Sequence, residues 1–158
     1  MSDRPKQWLA AVPWDSVTLL NKALCQAQKM DPLTQAKGLE AARRLWEKSS
    51  GKALTLREAF RVCHDAHEVA PFTFNNGNTF AAVGRTLIED LLKSVPPVEA
   101  QILRTTVCHY IVGLIDRREL EQVLRHLGAT LNHASPPDAG PTPDPAPVPL
   151  AMPRSQGV

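Results

Sequence analysis

The segment of residues 71–78 constrains the fold of this chain more than any other feature of the sequence. Helical patterns of apolar residues flank it, over residues 56–70 and 80–92. The eight residues between them hold two of the four phenylalanines, Phe72 and Phe74, and three asparagines. Proline, asparagine and glycine specify turns through their backbone preferences. We therefore expect this break to position two helices against each other.

Length and composition indicate a single helical domain in the cytoplasm. A chain of 158 residues can bury a core without disulfides, and the net charge of +2 is too small to indicate a polyanionic partner. The three cysteines are odd in number and widely spaced, which favours reduced thiols. No apolar run approaches the roughly 20 residues that a membrane span requires. We expect no membrane association.

The sequence divides into three parts. Residues 1–14 predict an N-terminal arm, residues 15–130 a compact all-α bundle of about six helices, and residues 131–158 a disordered proline-rich tail. Eight of the 14 prolines fall in the last 24 residues. Such a composition cannot pack a core, and the prolines recur every second residue, so the tail is typical of a stiff spacer.

Local capping signals mark the expected helix starts. They are Asp15 with a Trp14/Leu19 hydrophobic staple, Asp31 before Pro32, capping boxes at Thr55/Glu58 and Asp116/Glu119, and Asn78. The fifth helix, from Pro97 to about Ile115, is apolar around much of its circumference and should be central. Gly84 and Gly113 are expected in mid-helix, where a close approach of a neighbouring helix would account for them. The sixth helix should end at Gly128.

The first candidate site is the loop of residues 72–80. Asn75 to Thr79 leads into a helix N-terminus, whose free N–H groups favour an anion, and Arg85 lies two turns further along. The alternative, which we favour, is structural: Asn-Gly makes the turn, Asn78 caps the helix, and phenylalanines anchor the loop to the core. The candidate partner-binding or anion-binding residues are Phe72, Phe74, Asn75, Asn76, Gly77, Asn78, Thr79 and Arg85.

The second candidate is a set of thiols and imidazoles. Cys63 and His67 share a helical face, as metal ligands on one helix must, whereas Cys108 and His109 are adjacent and diverge. Only one ligand pair has zinc-site spacing, so we expect buried thiols and a core histidine, with no metal and no cofactor. A catalytic thiol is disfavoured too, because Cys63 lies mid-helix among apolar residues.

The third candidate is a positive stripe on the second helix, formed by Lys37, Arg43, Arg44 and Lys48. No aromatic residues interleave with these charges for stacking on single strands. A solvated helix face is the simpler interpretation.

These observations favour a non-enzymatic interaction or adaptor module, with loop 72–80 as the recognition element for a protein partner. Two alternatives remain open. One is a nucleic-acid-contacting small subunit of a larger complex that uses the positive stripe, and the other is a metal-dependent or thiol-dependent enzyme around Cys63, His67 and Cys108. Whether the asparagines point inward to backbone or outward to solvent bears directly on the choice.

Overall fold

The computed structural model of the chain describes residues 4–34 and 36–133, and this part folds as six α-helices. They are α1 (Trp14–Ala27), α2 (Ala36–Ser50), α3 (Leu56–Val69), α4 (Asn76–Leu92), α5 (Pro97–Ile111) and α6 (Arg117–His133). A 3-10 turn at Trp8–Ala11 precedes them, and the described segments contain only isolated β-bridges in place of strands. The prediction of an all-α bundle of six helices is confirmed.

Both predicted capping boxes are present. The Glu58 backbone N–H donates to Thr55 Oγ1 at 3.2 Å, and the Thr55 N–H donates to Glu58 Oε2 at 2.7 Å. At the start of α6, the Glu119 N–H donates to Asp116 Oδ1 at 2.9 Å and the Asp116 N–H donates to Glu119 Oε2 at 2.8 Å. Each box satisfies two N–H groups that the first turn of a helix leaves without intrahelical partners.

The predicted start of the first helix is wrong. Pro13 is the N-cap residue of α1, and its carbonyl accepts from the N–H groups of Ser16 and Val17. Leu19 is 65% exposed, so it forms no staple with Trp14. Trp14 packs instead on the rings of Trp46 and Phe72. This packing removes more of the apolar surface of the indole from water than a contact with the nearby Leu19 would, and is therefore more favourable.

The second helix also begins later than Asp31 and Pro32 predict. α2 starts at Ala36, and Leu33 and Thr34 lie beside the break. Thr34 forms an antiparallel bridge with Phe72, and the Thr73 N–H donates to the Leu33 carbonyl at 2.8 Å. Leu33 therefore lies outside the helix, and its side chain is 55% exposed. The pairing with a distant segment overrides the local helix-start signal.

The expected ends of the last two helices also differ from the structure. α5 ends at Ile111, and Gly113 lies in the following turn with φ +76° rather than in mid-helix. That left-handed conformation ends the helix because glycine adopts it without steric cost. α6 continues through Gly128 to His133. The proline-rich tail was predicted to be disordered over residues 131–158. Of these, residues 134–158 lie outside the part of the chain that the structure describes.

α5 is central, as expected, and contacts α3, α4 and α6. Gly84 allows the α4/α5 contact, because a Cβ at this position would overlap Ile111 Cδ1 and lie 3.2 Å from Val107 Cγ1. The close approach predicted for this glycine is therefore confirmed. Seven of the eight aromatic residues are buried. Four of them form a closed cycle of ring contacts with centroid separations of 6.1–6.3 Å, in the order Trp14, Trp46, Phe80, Phe72.

Two helical glycines give opposite predictions for alanine substitution. A Cβ at Gly38 would lie 2.8 Å from the carbonyl oxygens of both Val69 and Ala70, whereas nothing lies within 4 Å of one at Gly128. Backbone oxygens cannot move aside cheaply, so we expect Gly38→Ala to lower the free energy of unfolding by about 1–3 kcal/mol. Gly128→Ala should raise it by up to about 1 kcal/mol through helix propensity. Urea denaturation measures both, and changes of the same sign would contradict the packing at Gly38.

Candidate functional site

The break between α3 and α4 is a short connection with two residues in left-handed conformations. Ala70 ends α3 with φ 53°, and Asn75 precedes α4 with φ 61°. Asn75 is thus the N-cap residue, and the expectation that Asn78 caps the helix is wrong. Asparagine tolerates this conformation better than most residues, so α4 can begin directly after it. Asn78 lies in the first turn of the helix.

Asn76 ties the loop to the helix that follows it. Its Nδ2 donates to the Phe72 carbonyl at 2.7 Å, and its Oδ1 accepts from the Phe72 N–H at 3.0 Å. One amide side chain therefore satisfies both the N–H and the carbonyl of a buried residue. Leaving these two groups unpaired would cost free energy. The loop path is defined by this pair of hydrogen bonds.

Asn21 of α1 fastens the loop from the other side. It is 2% exposed, and its Nδ2 donates to the Phe74 carbonyl at 2.8 Å and to Thr79 Oγ1 at 3.1 Å. The sequence analysis did not identify this residue. The available signal was a polar side chain on the buried face of α1, one turn from Val17 and one turn from Cys25, where a polar group needs a partner.

The other two loop asparagines also use their side chains within the protein. Asn75 Nδ2 donates to Cys25 Sγ at 3.5 Å, and Asn75 Oδ1 accepts from Asn78 Nδ2 at 3.0 Å. Thr79 is fully buried and its N–H donates to the Asn75 carbonyl. Arg85 is exposed further along α4. Anion binding by the loop stays a prediction that has only the helix N-terminus in its favour.

The phenylalanines of the loop divide into buried and exposed members. Phe72 and Phe80 are 2% and 0% exposed, whereas Phe74 is 37% exposed. Leu33 and Val69 are also exposed, and their segments approach each other at the Thr34–Phe72 bridge and at Gly38, where a Cβ would lie 2.8 Å from the Val69 and Ala70 carbonyl oxygens. We call these three exposed residues, Leu33, Val69 and Phe74, the apolar corner. Its backbone is held by the Thr34–Phe72 bridge and by the asparagines.

The surroundings of the two candidate thiols, Cys63 and Cys108, keep them in the protonated form, which is a poor nucleophile. Burial raises the pKa of Cys63, which is fully enclosed in the core, far above the ordinary thiol value. Burial also raises the pKa of the half-buried Cys108, and the nearby Arg85 guanidinium offsets this only in part. A thiolate is the attacking and metal-binding form, so these surroundings disfavour both chemistries.

The imidazoles do not complete a metal site with these thiols. His67 lies against the start of α4, with Cε1 3.8 Å from the position of a Cβ on Gly77. Its buried Nδ1 has no hydrogen-bond partner among the described residues. His109 is exposed on α5. Among the side chains that the structure describes, no three from His, Cys, Asp or Glu are grouped so that they could hold a metal ion.

Glutamate side chains of α2 partly neutralise the positive stripe on the same helix. Arg43 pairs with Glu47 and Arg44 with Glu40, each with an N–O distance of 2.8 Å and one helical turn apart. Lys37 and Lys48 are exposed without such a partner at this distance in the described part. The ion pairs reduce the positive potential that a nucleic-acid phosphate backbone would meet. Nucleic-acid binding stays a prediction.

A cleft that the sequence analysis did not identify lies beside α3. It has a volume of about 780 Å³ and opens between α3, the end of α5 and the start of α6. Its wall includes Arg61, His64, Tyr110 and Arg117. These residues are separated by up to 56 positions in the chain, so their meeting depends on the packing of three helices.

Comparison of the chain with protein-family models, with curated proteins and with solved structures found no match in any of the three. None of the helices described here is long and apolar enough to cross a membrane.

Proposed function

We propose that this protein is a helical interaction module that binds another folded protein through the apolar corner. The observation that carries the proposal is the exposure of Phe74 on a loop whose polar groups are already satisfied within the protein. Phe74, Leu33 and Val69 are all exposed on segments that pair through their backbones, and together they offer apolar area that a partner can cover.

Preorganisation supports the corner as a binding surface. Ordering a mobile loop on association costs about 0.5–1.5 kcal/mol for each immobilised side chain. Here Asn21 and Asn76 hold the loop backbone in the free protein, so that cost is reduced. Aromatic side chains presented on a fixed backbone are frequent anchors of protein interfaces.

The burial of two of the phenylalanines leaves few residues of the loop that can contact a partner. Phe72 and Phe80 belong to the aromatic cycle of the core, so within loop 72–80 we assign partner contact to Phe74 and to the exposed Asn78. Asn76 is a structural residue of the loop, which makes it unsuitable for a test of recognition.

We expect Leu33→Ala with Phe74→Ala to weaken partner binding at least about tenfold, since each removes apolar contact worth about 1 kcal/mol or more. The partner is first identified by crosslinking from cell extract, and its affinity for the purified chain is then measured by calorimetry. The matched control is Leu19→Ala with Val98→Ala, because these side chains are 65% and 69% exposed on other surfaces.

The expected pattern is lost affinity in the corner variant, unchanged affinity in the control, and similar thermal unfolding of both. Equal affinity of the corner variant and the wild type would overturn the proposal. Equal losses in the two variants would also overturn it, because they would show that apolar exposure in general, rather than this corner, attracts the partner.

The cytoplasmic location is part of the same proposal and is supported by the odd number and wide spacing of the cysteines. The nucleic-acid and enzyme alternatives stay predictions. The ion pairs of Arg43 and Arg44, and the raised pKa values of Cys63 and Cys108, favour neither.

A further inference from the structure

Asn76 is followed by Gly77, the one Asn-Gly pair in the sequence, and such a pair undergoes a covalent change that consumes only water. The backbone nitrogen of the glycine attacks Cγ of the asparagine side chain, and ammonia leaves as a succinimide ring closes. Water then opens the ring at either carbonyl, which leaves an aspartate or an isoaspartate at that position. Glycine permits the attack most readily because it has no Cβ to crowd the nitrogen. Asparagine is accordingly among the thermolabile residues of proteins.

Packing accounts for the glycine at position 77. A Cβ there would lie 3.3 Å from Val112 Cγ1 and 3.8 Å from His67 Cε1, so the start of α4 fits closely against α3 and the residue that follows α5. The Gly77 N–H belongs to the first turn of α4, where N–H groups have no acceptor within the helix. The attacking nitrogen is therefore not held by the hydrogen bonds of the helix.

The closed loop protects Asn76 from this reaction. Its Nδ2 donates to the Phe72 carbonyl at 2.7 Å, and its Oδ1 accepts from the Phe72 N–H at 3.0 Å. Ring closure requires the side chain to rotate until Cγ meets the nitrogen of Gly77, so both hydrogen bonds must break first. The rate of the reaction therefore depends on how often the loop opens.

Either product removes the interaction that holds the loop. The Nδ2 donor is lost, and the Phe72 carbonyl, which had accepted at 2.7 Å, then faces a carboxylate oxygen. Two acceptors at this distance repel, and the carbonyl of a buried residue is left unpaired. A carboxylate in the first turn of α4 also gains from the helix dipole, but that gain is equally available at Asn78, where no such loss opposes it. Isoaspartate in addition inserts a methylene into the main chain.

We propose that Asn76 is a deamidation site controlled by opening of loop 72–80, and that its conversion irreversibly releases the loop from the Phe72 backbone. The residue that defines the loop path is thus also the one whose chemistry limits its lifetime. Asn75 and Asn78 react more slowly, because the residues that follow them, Asn76 and Thr79, carry side chains that crowd the attacking nitrogen. The proposal is independent of partner binding at the apolar corner.

The test is to hold the full chain in mildly alkaline buffer at physiological temperature and to locate the amide-to-acid mass increase by peptide mass spectrometry. We expect it at Asn76 before Asn21, Asn75 or Asn78. Urea well below the unfolding midpoint should accelerate the conversion roughly threefold to tenfold, because it favours the open loop. Gly77→Ala should slow it by roughly an order of magnitude, since a methyl group then crowds the nitrogen. This variant should still fold, because the close contact of its Cβ is with the Val112 side chain rather than with backbone.

Asn76→Asp reproduces one of the two products and tests the structural consequence. We expect it to lower the midpoint of thermal unfolding by about 2–4 °C and to accelerate hydrogen exchange of the Thr73 amide, whose bond to the Leu33 carbonyl forms in the closed loop. Asn78→Asp is the matched control, because it places a carboxylate in the same helical turn on an exposed side chain, and it should leave both measurements unchanged.

Four results would each overturn the proposal. They are conversion of another asparagine ahead of Asn76, a conversion rate that urea does not change, a rate that Gly77→Ala does not change, and equal unfolding midpoints for Asn76→Asp and Asn78→Asp.

Discussion

Trp46→Ala is expected to lower the free energy of unfolding by about 3–5 kcal/mol, a large share of the roughly 5–15 kcal/mol that stabilises an ordinary domain. Trp46 is fully buried, and its ring contacts Trp14 and Phe80, each with centroids 6.1 Å apart. Its Nε1 also donates to the Val12 carbonyl at 2.8 Å. Alanine would leave a cavity in the aromatic cycle and an unpaired carbonyl beside it.

Trp46→Phe is the matched control, because phenylalanine keeps an aromatic ring in the cycle and removes the Nε1 donor. We expect a smaller loss, about 1–3 kcal/mol, from the unpaired Val12 carbonyl and the smaller ring. Urea denaturation followed by far-UV circular dichroism gives both free energies. A loss below about 1 kcal/mol for Trp46→Ala would show that the cycle is not the centre of the core.

Asn76→Ala is expected to cost about 2–4 kcal/mol, because it removes both hydrogen bonds to the Phe72 backbone and leaves an N–H and a carbonyl of a buried residue unpaired. The loop should also open more often, so hydrogen exchange of the Phe72 amide should accelerate. If the apolar corner binds a partner, this variant should bind it more weakly even though Phe74 is retained.

Asn78→Ala is the control for this prediction, since it stands two residues away and is exposed. Its Nδ2 makes one hydrogen bond, to Asn75 Oδ1, and alanine has the higher helix propensity. We expect a change within about 0.5 kcal/mol. Similar unfolding free energies for Asn76→Ala and Asn78→Ala would mean that the loop is not held by the Asn76 amide.

The sequence predicted those parts of the fold that depend on neighbouring residues. The capping boxes at Thr55 and Asp116 join residues three apart, and both are formed. The packing role of Gly84 was also predicted, because a glycine inside an apolar helix needs a close neighbour to account for it. Helical periodicity was sufficient to predict six helices.

The predictions that failed concern helix starts at which a distant segment competes with a local signal. Asp31 and Pro32 form a good start in isolation, but the extended strand-like pairing of Leu33 and Thr34 with the break displaces the helix to Ala36. A capping residue contributes about 1 kcal/mol, which tertiary pairing readily exceeds.

The candidate sites likewise divide into features that the sequence predicted and features that only the structure showed. Loop 72–80 was identified from composition, whereas the separation of exposed Phe74 from buried Phe72 and Phe80 followed only from the structure. The cleft around Tyr110 was not predicted, since its wall comes from three helices and no spacing within one of them brings Arg61 and Arg117 together.

The sequence by itself determined helix content, the two capping boxes and the existence of a specified turn, because these depend on interactions within about four residues. The tertiary structure decided which asparagine caps α4, which phenylalanine remains exposed, and which charges line the cleft. The hydrogen bond from Asn21 to the Phe74 carbonyl spans 53 residues. Such a contact exists only after α1 and α4 have packed, because burial then makes each unpaired polar atom costly.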